Sequence, residues 1–127
     1  MNSNVEDCPF CNPPEEAIVL RNDLCYALWD KYPVAKGHML IVPFRHVPLY
    51  FDTTYGEKVA ILDLAEKARD LTEREFSPDG YNFGVNIGEY AGQSVMHVHF
   101  HFIPRYRGDV PDVEGGIRKV IATMCKP

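Results

Sequence analysis

Three of the five histidines fall at alternate positions, His97, His99 and His101, interleaved with Val98, Phe100 and Phe102. Strict alternation is the period of a β-strand, so the imidazoles share one face while the apolar side chains enter a core. With a rise of about 3.3 Å per residue, neighbouring histidines stand about 7 Å apart and the outer pair about 13 Å. A row of that length suits an extended anion better than a single atom. With a free pKa near 6.5, an imidazole is neutral at pH 7 without extreme tuning and serves as a nucleophile or proton carrier. Two other readings compete. Strand histidines are often ordinary surface or core residues, and a His-x-His strand can bind zinc at metal–nitrogen distances of about 2.0 to 2.1 Å, although all three rings reach one metal only with strain.

Cys8-Pro-Phe-Cys11 is the other stretch with chemistry in it. Its spacing lets two thiolates reach one zinc. A thioredoxin-like redox pair opens a helix, whereas Asn12-Pro13-Pro14 forces a loop here. Two ordinary free thiols explain the pair equally well, because one Cys-x-x-Cys supplies only half of a tetrahedral site.

The elements that must position these residues are legible in order. Ala17 to Leu20 and Leu24 to Trp29 read as a hairpin turned at Arg21-Asn22-Asp23. Asp30 ends the second strand before a loop set by Pro33 and Gly37, and His38 to Pro43 is an apolar strand. Thr54-x-x-Glu57 is a capping box opening a helix that runs to about Phe76, with Ile61, Leu64, Ala65, Ala68 and Leu71 forming one apolar stripe. Ser77 to Gly80 is a turn, Tyr81 to Ile87 a strand, and Gly88 to Gly92 a loop whose glycines let backbone N–H groups approach an anion.

The chain has 127 residues and reads as one domain spanning 1–127, with 1–14 as an N-terminal arm. A net charge of −5 leaves no broad basic surface, which argues against a nucleic-acid partner. The first residues lack a leader pattern and no apolar run is long enough for a membrane span, so a soluble, cytoplasmic protein with its four cysteines reduced is expected.

His97-Val-His99-Phe-His101-Phe-Ile103 resembles the His-φ-His-φ-His-φ-φ signature of the histidine triad (HIT) nucleotide hydrolases and transferases, and Gly80 to Asn86, Ala91 to Ser94, Pro33 to Pro43 and Arg105 to Asp109 match as well. The resemblance covers roughly residues 8 to 120. It implies an α+β, HIT-like fold: an antiparallel meander sheet with the triad strand inside it and one long helix packed on it. It further implies cleavage of dinucleoside polyphosphates such as diadenosine tetraphosphate, or of nucleoside phosphoramidates, at the α-phosphorus through a covalent nucleotidyl-histidine, releasing a nucleoside monophosphate.

Carried over residue by residue, the resemblance makes His99 the nucleophile, with the His97 carbonyl accepting its other ring proton. His101 and Ser94 assist the leaving group, and His38 stands beside the triad as a fourth active-site histidine. Asp30 contacts ribose hydroxyls, Asn86 donates to a phosphate oxygen, Gln93 and Ser94 sit at the phosphate rim, and Leu28 and Phe10 line a base pocket in which adenine is expected. Arg105, Arg107 and Arg118 are candidates for outer phosphates, against a role as plain surface charge. In the Cys-x-x-Cys branch of the family, Cys8, Cys11, His46 and His97 complete a structural zinc site, and members usually form two-fold homodimers. Two other functions remain open at this stage: a zinc-dependent hydrolase using the triad as ligands, and a nucleotide-binding interaction protein with little turnover.

Overall fold

Thr54 caps the long helix α1 (Tyr55–Phe76) in the computed structural model, which describes residues 5–121. The capping box forms in both directions: the Glu57 N–H donates to Thr54 Oγ1 at 3.0 Å and the Thr54 N–H donates to Glu57 Oε1 at 2.8 Å. Two of the four orphan donors of the first turn are thereby satisfied. The Glu57 carboxylate is also gripped by Arg45, Nε at 2.9 Å and Nη2 at 2.8 Å, which ties the helix start to the segment after the third strand. At the other end Ser77 adopts the left-handed conformation, φ 48°, and its N–H returns to the Thr72 carbonyl. The stripe buries Ile61, Leu64 and Ala68 and half-buries Ala65 and Leu71, as the spacing requires.

Five antiparallel strands, β1 (Leu20–Arg21), β2 (Cys25–Trp29), β3 (Met39–Pro43), β4 (Gly80–Val85) and β5 (Phe100–Arg105), form an open sheet in the order β1-β2-β3-β5-β4. The first three make a meander. The helix then carries the chain to the far edge at β4, and β5 returns inward, so the strand bearing His101 is interior. Helix α1 covers one face over Ala27, Met39, Ile41, Phe100 and Phe102. The N-terminal arm covers part of the other, where Phe10 joins Tyr26, Leu40 and Val42. Strand β3 is buried at every residue because both of its faces are covered.

Two expectations are corrected. The hairpin exists, but Glu15–Ala17 is a 3-10 turn and β1 begins only at Leu20, although the Val19 N–H still reaches the Ala27 carbonyl at 2.8 Å. The triad does not lie wholly on a strand either, since β5 starts at Phe100, leaving His97 and His99 in the approach to it. Its partner β3 ends at Pro43, which has no N–H to extend the ladder, and the Val98 N–H turns to the Val47 carbonyl at 2.9 Å instead. Cys125 and positions 1–4 of the arm lie outside the described residues.

Arg45 and the capping hydrogen bonds hold the Glu57 carboxyl below the usual carboxylate range against the opposing effect of burial. A lowered folded pKa adds stability above the unfolded value of about 4.3 and loses it as pH falls through the folded value. Urea titrations of Glu57→Gln should therefore show a deficit at pH 7 that shrinks as the pH is lowered past about 4. Thr54→Ala should cost about 1 kcal/mol with a weaker pH dependence, because Arg45 still holds the carboxylate.

Candidate functional site

Gly37, at φ +83°, ends the loop after β2, and a Cβ there would stand 3.0 Å from the Phe76 ring and 3.1 Å from Pro104 Cγ. The tight turn brings His38 back beside Asp30, whose N–H donates to the His38 carbonyl at 2.9 Å. The sheet register then pairs Leu40 with His101, which sets the His38 side chain diagonally beside that of His101 on the same face. The two rings meet, His38 Nε2 to His101 Nδ1, at 3.0 Å.

The proton positions in this chain follow from the backbone. The Val34 N–H donates to His38 Nδ1 at 3.1 Å, so in the neutral ring the proton sits on Nε2. That N–H faces Asp30 Oδ2 at 3.2 Å and His101 Nδ1 at 3.0 Å. Two N–H groups cannot face each other at that separation, so His101 Nδ1 accepts and its own proton is on Nε2. His38 has no second lone pair to offer a metal in this state, which counts against a metal held by Asp30, His38 and His101, even though these three lie close enough to surround an ion.

His99 is set the opposite way. Its Nδ1–H donates to the His97 carbonyl at 2.9 Å, leaving the Nε2 lone pair free. Burial pushes the pKa of His99, and of His38 and His101, below 6.5, with Asp30 partly opposing the shift in each. All three rings are then neutral at pH 7. The Phe10 ring lies 5.1 Å from that of His99 and 5.9 Å from that of His97, excluding water from the apolar side.

A cavity of about 730 Å³ opens over His99. Phe10, Leu28, Asp30, His38, Asn86, Ser94 and His101 all line it, so eight of the residues singled out from sequence converge on one volume. Its apolar end at Phe10 and Leu28, its carboxylate at Asp30 and its neutral imidazoles could seat a flat apolar ring, a polyol and a phosphoryl group in that order.

Cys8, Cys11, His46 and His97 come together immediately behind it, with their ligand atoms all within 4.8 Å of one another. Cys8 Sγ is 3.2 Å from His97 Nδ1, and Cys11 Sγ is 3.0 Å from His46 Nδ1. The His97 tautomer suits a metal: its Nε2–H donates to the Pro43 carbonyl at 2.7 Å, which turns the Nδ1 lone pair toward the sulfurs. Burial and the neighbouring Cys8 push the Cys11 thiol up to about 11, a cost that a cation between the sulfurs relieves. The donor set fits a bound metal ion.

Gln93 departs from its expected place. Its side chain is consumed by the loop, Oε1 accepting the Gly88 N–H at 2.8 Å and Nε2 donating to the carbonyls of Pro48 and Val95, and it does not line the cavity. Arg105 is likewise committed, to both Asp109 oxygens at 2.8 Å and to Asn82 at 2.6 Å. Sequence reasoning missed the Val34 N–H, the Pro43 carbonyl and Tyr26, whose hydroxyl donates to the Phe10 carbonyl at 2.7 Å. Two of these are backbone groups that no residue type announces.

Known proteins agree with this geometry. The HIT domain model matches residues 13–108. The chain is 35% identical over 104 residues to the AP-4-A phosphorylase of Mycobacterium tuberculosis, covering 81% of this chain and 53% of the relative. It is 37% identical over 95 residues to the bis(5'-adenosyl)-triphosphatase of Dictyostelium discoideum, covering 75% and 64%. Among the curated relatives it matches, the chain thus spans little more than half the length of the first. The solved structure of a zinc-bound histidine triad family protein from Mycobacterium smegmatis superposes with a TM-score of 0.74 at 25% identity over 94% of each chain. The chain belongs to the HIT domain family.

Proposed function

We propose that the protein is a nucleotide hydrolase or nucleotidyl transferase that cleaves dinucleoside polyphosphates or nucleoside phosphoramidates at the α-phosphorus through a covalent nucleotidyl-His99. The observation that carries this reading is the His99 ring, held by the His97 carbonyl with its free nitrogen facing the cavity. Nε2 attacks phosphorus, a P–N bond forms, and the bond to the leaving group breaks. The Nδ1–H stays on the carbonyl, which stabilises the positive charge gained by the ring. His101, with its proton on Nε2, donates a hydrogen bond to the departing atom with Ser94 at its side, and Asn86 faces the phosphoryl oxygens; a phosphate leaves as the anion, and an amine takes its proton from water. Water then attacks phosphorus, the P–N bond breaks with its electron pair returning to His99 Nε2, and a nucleoside monophosphate is released as the water's proton passes to solvent. Asp30 holds the ribose, and Phe10 and Leu28 the base. The names of the relatives support adenine, although an apolar pocket alone does not choose between purines.

The Cys8, Cys11, His46 and His97 cluster holds zinc in this reading, a closed Cys2His2 set that ties the arm to the sheet and takes no part in the chemistry. The zinc-bound relative supports the choice of metal. Exposed apolar residues on the outer face of α1, Val59 and Leu62, support a homodimer. No helix among the described residues is long and apolar enough to cross a membrane, which is consistent with a cytoplasmic setting.

His99→Ala should lower turnover of diadenosine tetraphosphate or an adenosine phosphoramidate roughly a thousandfold or more while leaving adenosine monophosphate binding nearly intact. Denaturation without acid during turnover should trap a nucleotide on a peptide spanning residues 95 to 105. A metal-activated water predicts no adduct and loss of activity in chelator, and that pair of results overturns the mechanism.

Because burial depresses His99 and it must be neutral to attack, the acid limb of kcat/KM should fall below pH 6.5, with activity lost as the ring is protonated. An acid limb above neutrality contradicts this environment.

Metal analysis of protein purified without chelator should find about one zinc per chain, and Cys11→Ser should lose it and loosen the arm. Full retention of the metal in that variant removes the assignment.

A further inference from the structure

A second cavity of about 880 Å³ lies on the other side of His101. It shares Val34, His38, Asn86, Gly92 and His101 with the nucleotide cavity but does not contain His99. Asn82 and Gly84 of β4 and Ile103 of β5 form its floor, and the 3-10 turn Gly116–Val120 with the following Ile121 forms its outer wall. That wall is seated on the sheet at Gly84, where a Cβ would stand 3.2 Å from Ile117 Cδ1. Ile117, Val120 and Ile121 are nevertheless 60%, 79% and 60% exposed, a cluster of apolar side chains facing an open volume beside the reactive imidazoles. All three lie beyond residue 108, where the match to the HIT domain ends.

The charge of this cavity is as informative as its shape. Among the described residues lining it there is no lysine or arginine. Of the cations nearby, Arg105 is engaged with Asp109 and Asn82 and Lys119 with Asp112, and Arg118, although on the wall turn, does not line the cavity. A polyphosphate chain entering here would lose water and meet no counter-charge among the described residues that line the cavity. An alkyl or aryl body would lose only unfavourable hydration.

We propose that this cavity receives the leaving group, and that it selects one with an uncharged apolar body, such as the alkyl or aryl amine of a nucleoside phosphoramidate, over a polyphosphate. The inference rests on the nucleotide reading given above and narrows it. Attack by His99 in line with the departing bond sends the leaving group to the side of phosphorus away from His99. His101 and Asn86 border both cavities, so the hydrogen-bond donor stands at the junction the departing atom must cross.

Two non-cleavable ligands isolate the cavity from turnover: adenosine 5′-methylphosphonate and adenosine 5′-hexylphosphonate, each with a P–C bond where the leaving group would be. Calorimetry should find the hexyl compound bound about tenfold more tightly or better, given five extra methylenes to bury. Ile117→Ser, at a position 60% exposed on the wall, should cut that advantage at least about threefold, a change commensurate with the area that one aliphatic side chain covers. Extending adenosine monophosphate to the diphosphate and triphosphate should gain less than the hexyl chain does. Equal affinities for the two phosphonates, a hexyl advantage untouched by Ile117→Ser, or a larger gain from added phosphates each overturns the cavity assignment while leaving the nucleotide site standing. Failure of either phosphonate and of adenosine monophosphate to bind overturns the nucleotide reading itself, and this proposal with it.

Discussion

A neutral imidazole has one ring proton and one lone pair, and whichever nitrogen the fold engages decides what the other can do. In this protein that constraint is met four times within one small region, each time by a different partner. The Pro43 carbonyl takes the His97 Nε2–H and turns Nδ1 to the cysteines; the His97 carbonyl takes the His99 Nδ1–H and turns Nε2 to the cavity. The Val34 N–H occupies His38 Nδ1, which leaves the Nε2–H facing His101 Nδ1. Identical side chains are sorted into candidate metal ligand, candidate nucleophile and candidate proton carriers by three carbonyl or amide groups and one another.

His97 couples the two halves of the site. Its ring belongs to the cluster that fits a metal, and its main-chain oxygen orients His99. Phe10 makes a second link, since it sits between Cys8 and Cys11 and packs on the His99 ring. The Phe10 N–H reaches Cys8 Sγ at 3.4 Å and its carbonyl is held by Tyr26 from the sheet. The arm is therefore both a wall of the cavity over His99 and a clamp on the segment that precedes β5.

Much of this was legible from residue types and spacing. The capping box and stripe of α1 were readable because their signals are local, and the convergence of Cys8, Cys11, His46 and His97 followed from the family resemblance. The start of β5 was not readable, because alternation specifies which face a side chain takes but not whether the neighbouring strand still has an N–H to pair with, and Pro43 does not. The bonding of Gln93 was not readable for a related reason: a glutamine beside a glycine-rich loop serves equally well to bind an anion or to brace the loop, and here its amide is bonded to the carbonyls of Pro48 and Val95. The cavity bounded by Ile117 was invisible, since its wall joins β4 only through the space left at Gly84.

The central claim is that the fold fixes a different tautomer at His99 from those at its neighbours. Nitrogen-15 NMR of the histidine rings at pH 7 tests it directly, because protonated and unprotonated ring nitrogens resonate far apart. Neutral rings are expected, with the proton on Nδ1 for His99 and on Nε2 for His38, His97 and His101. A His99 protonated on Nε2, or charged at that pH, would contradict it.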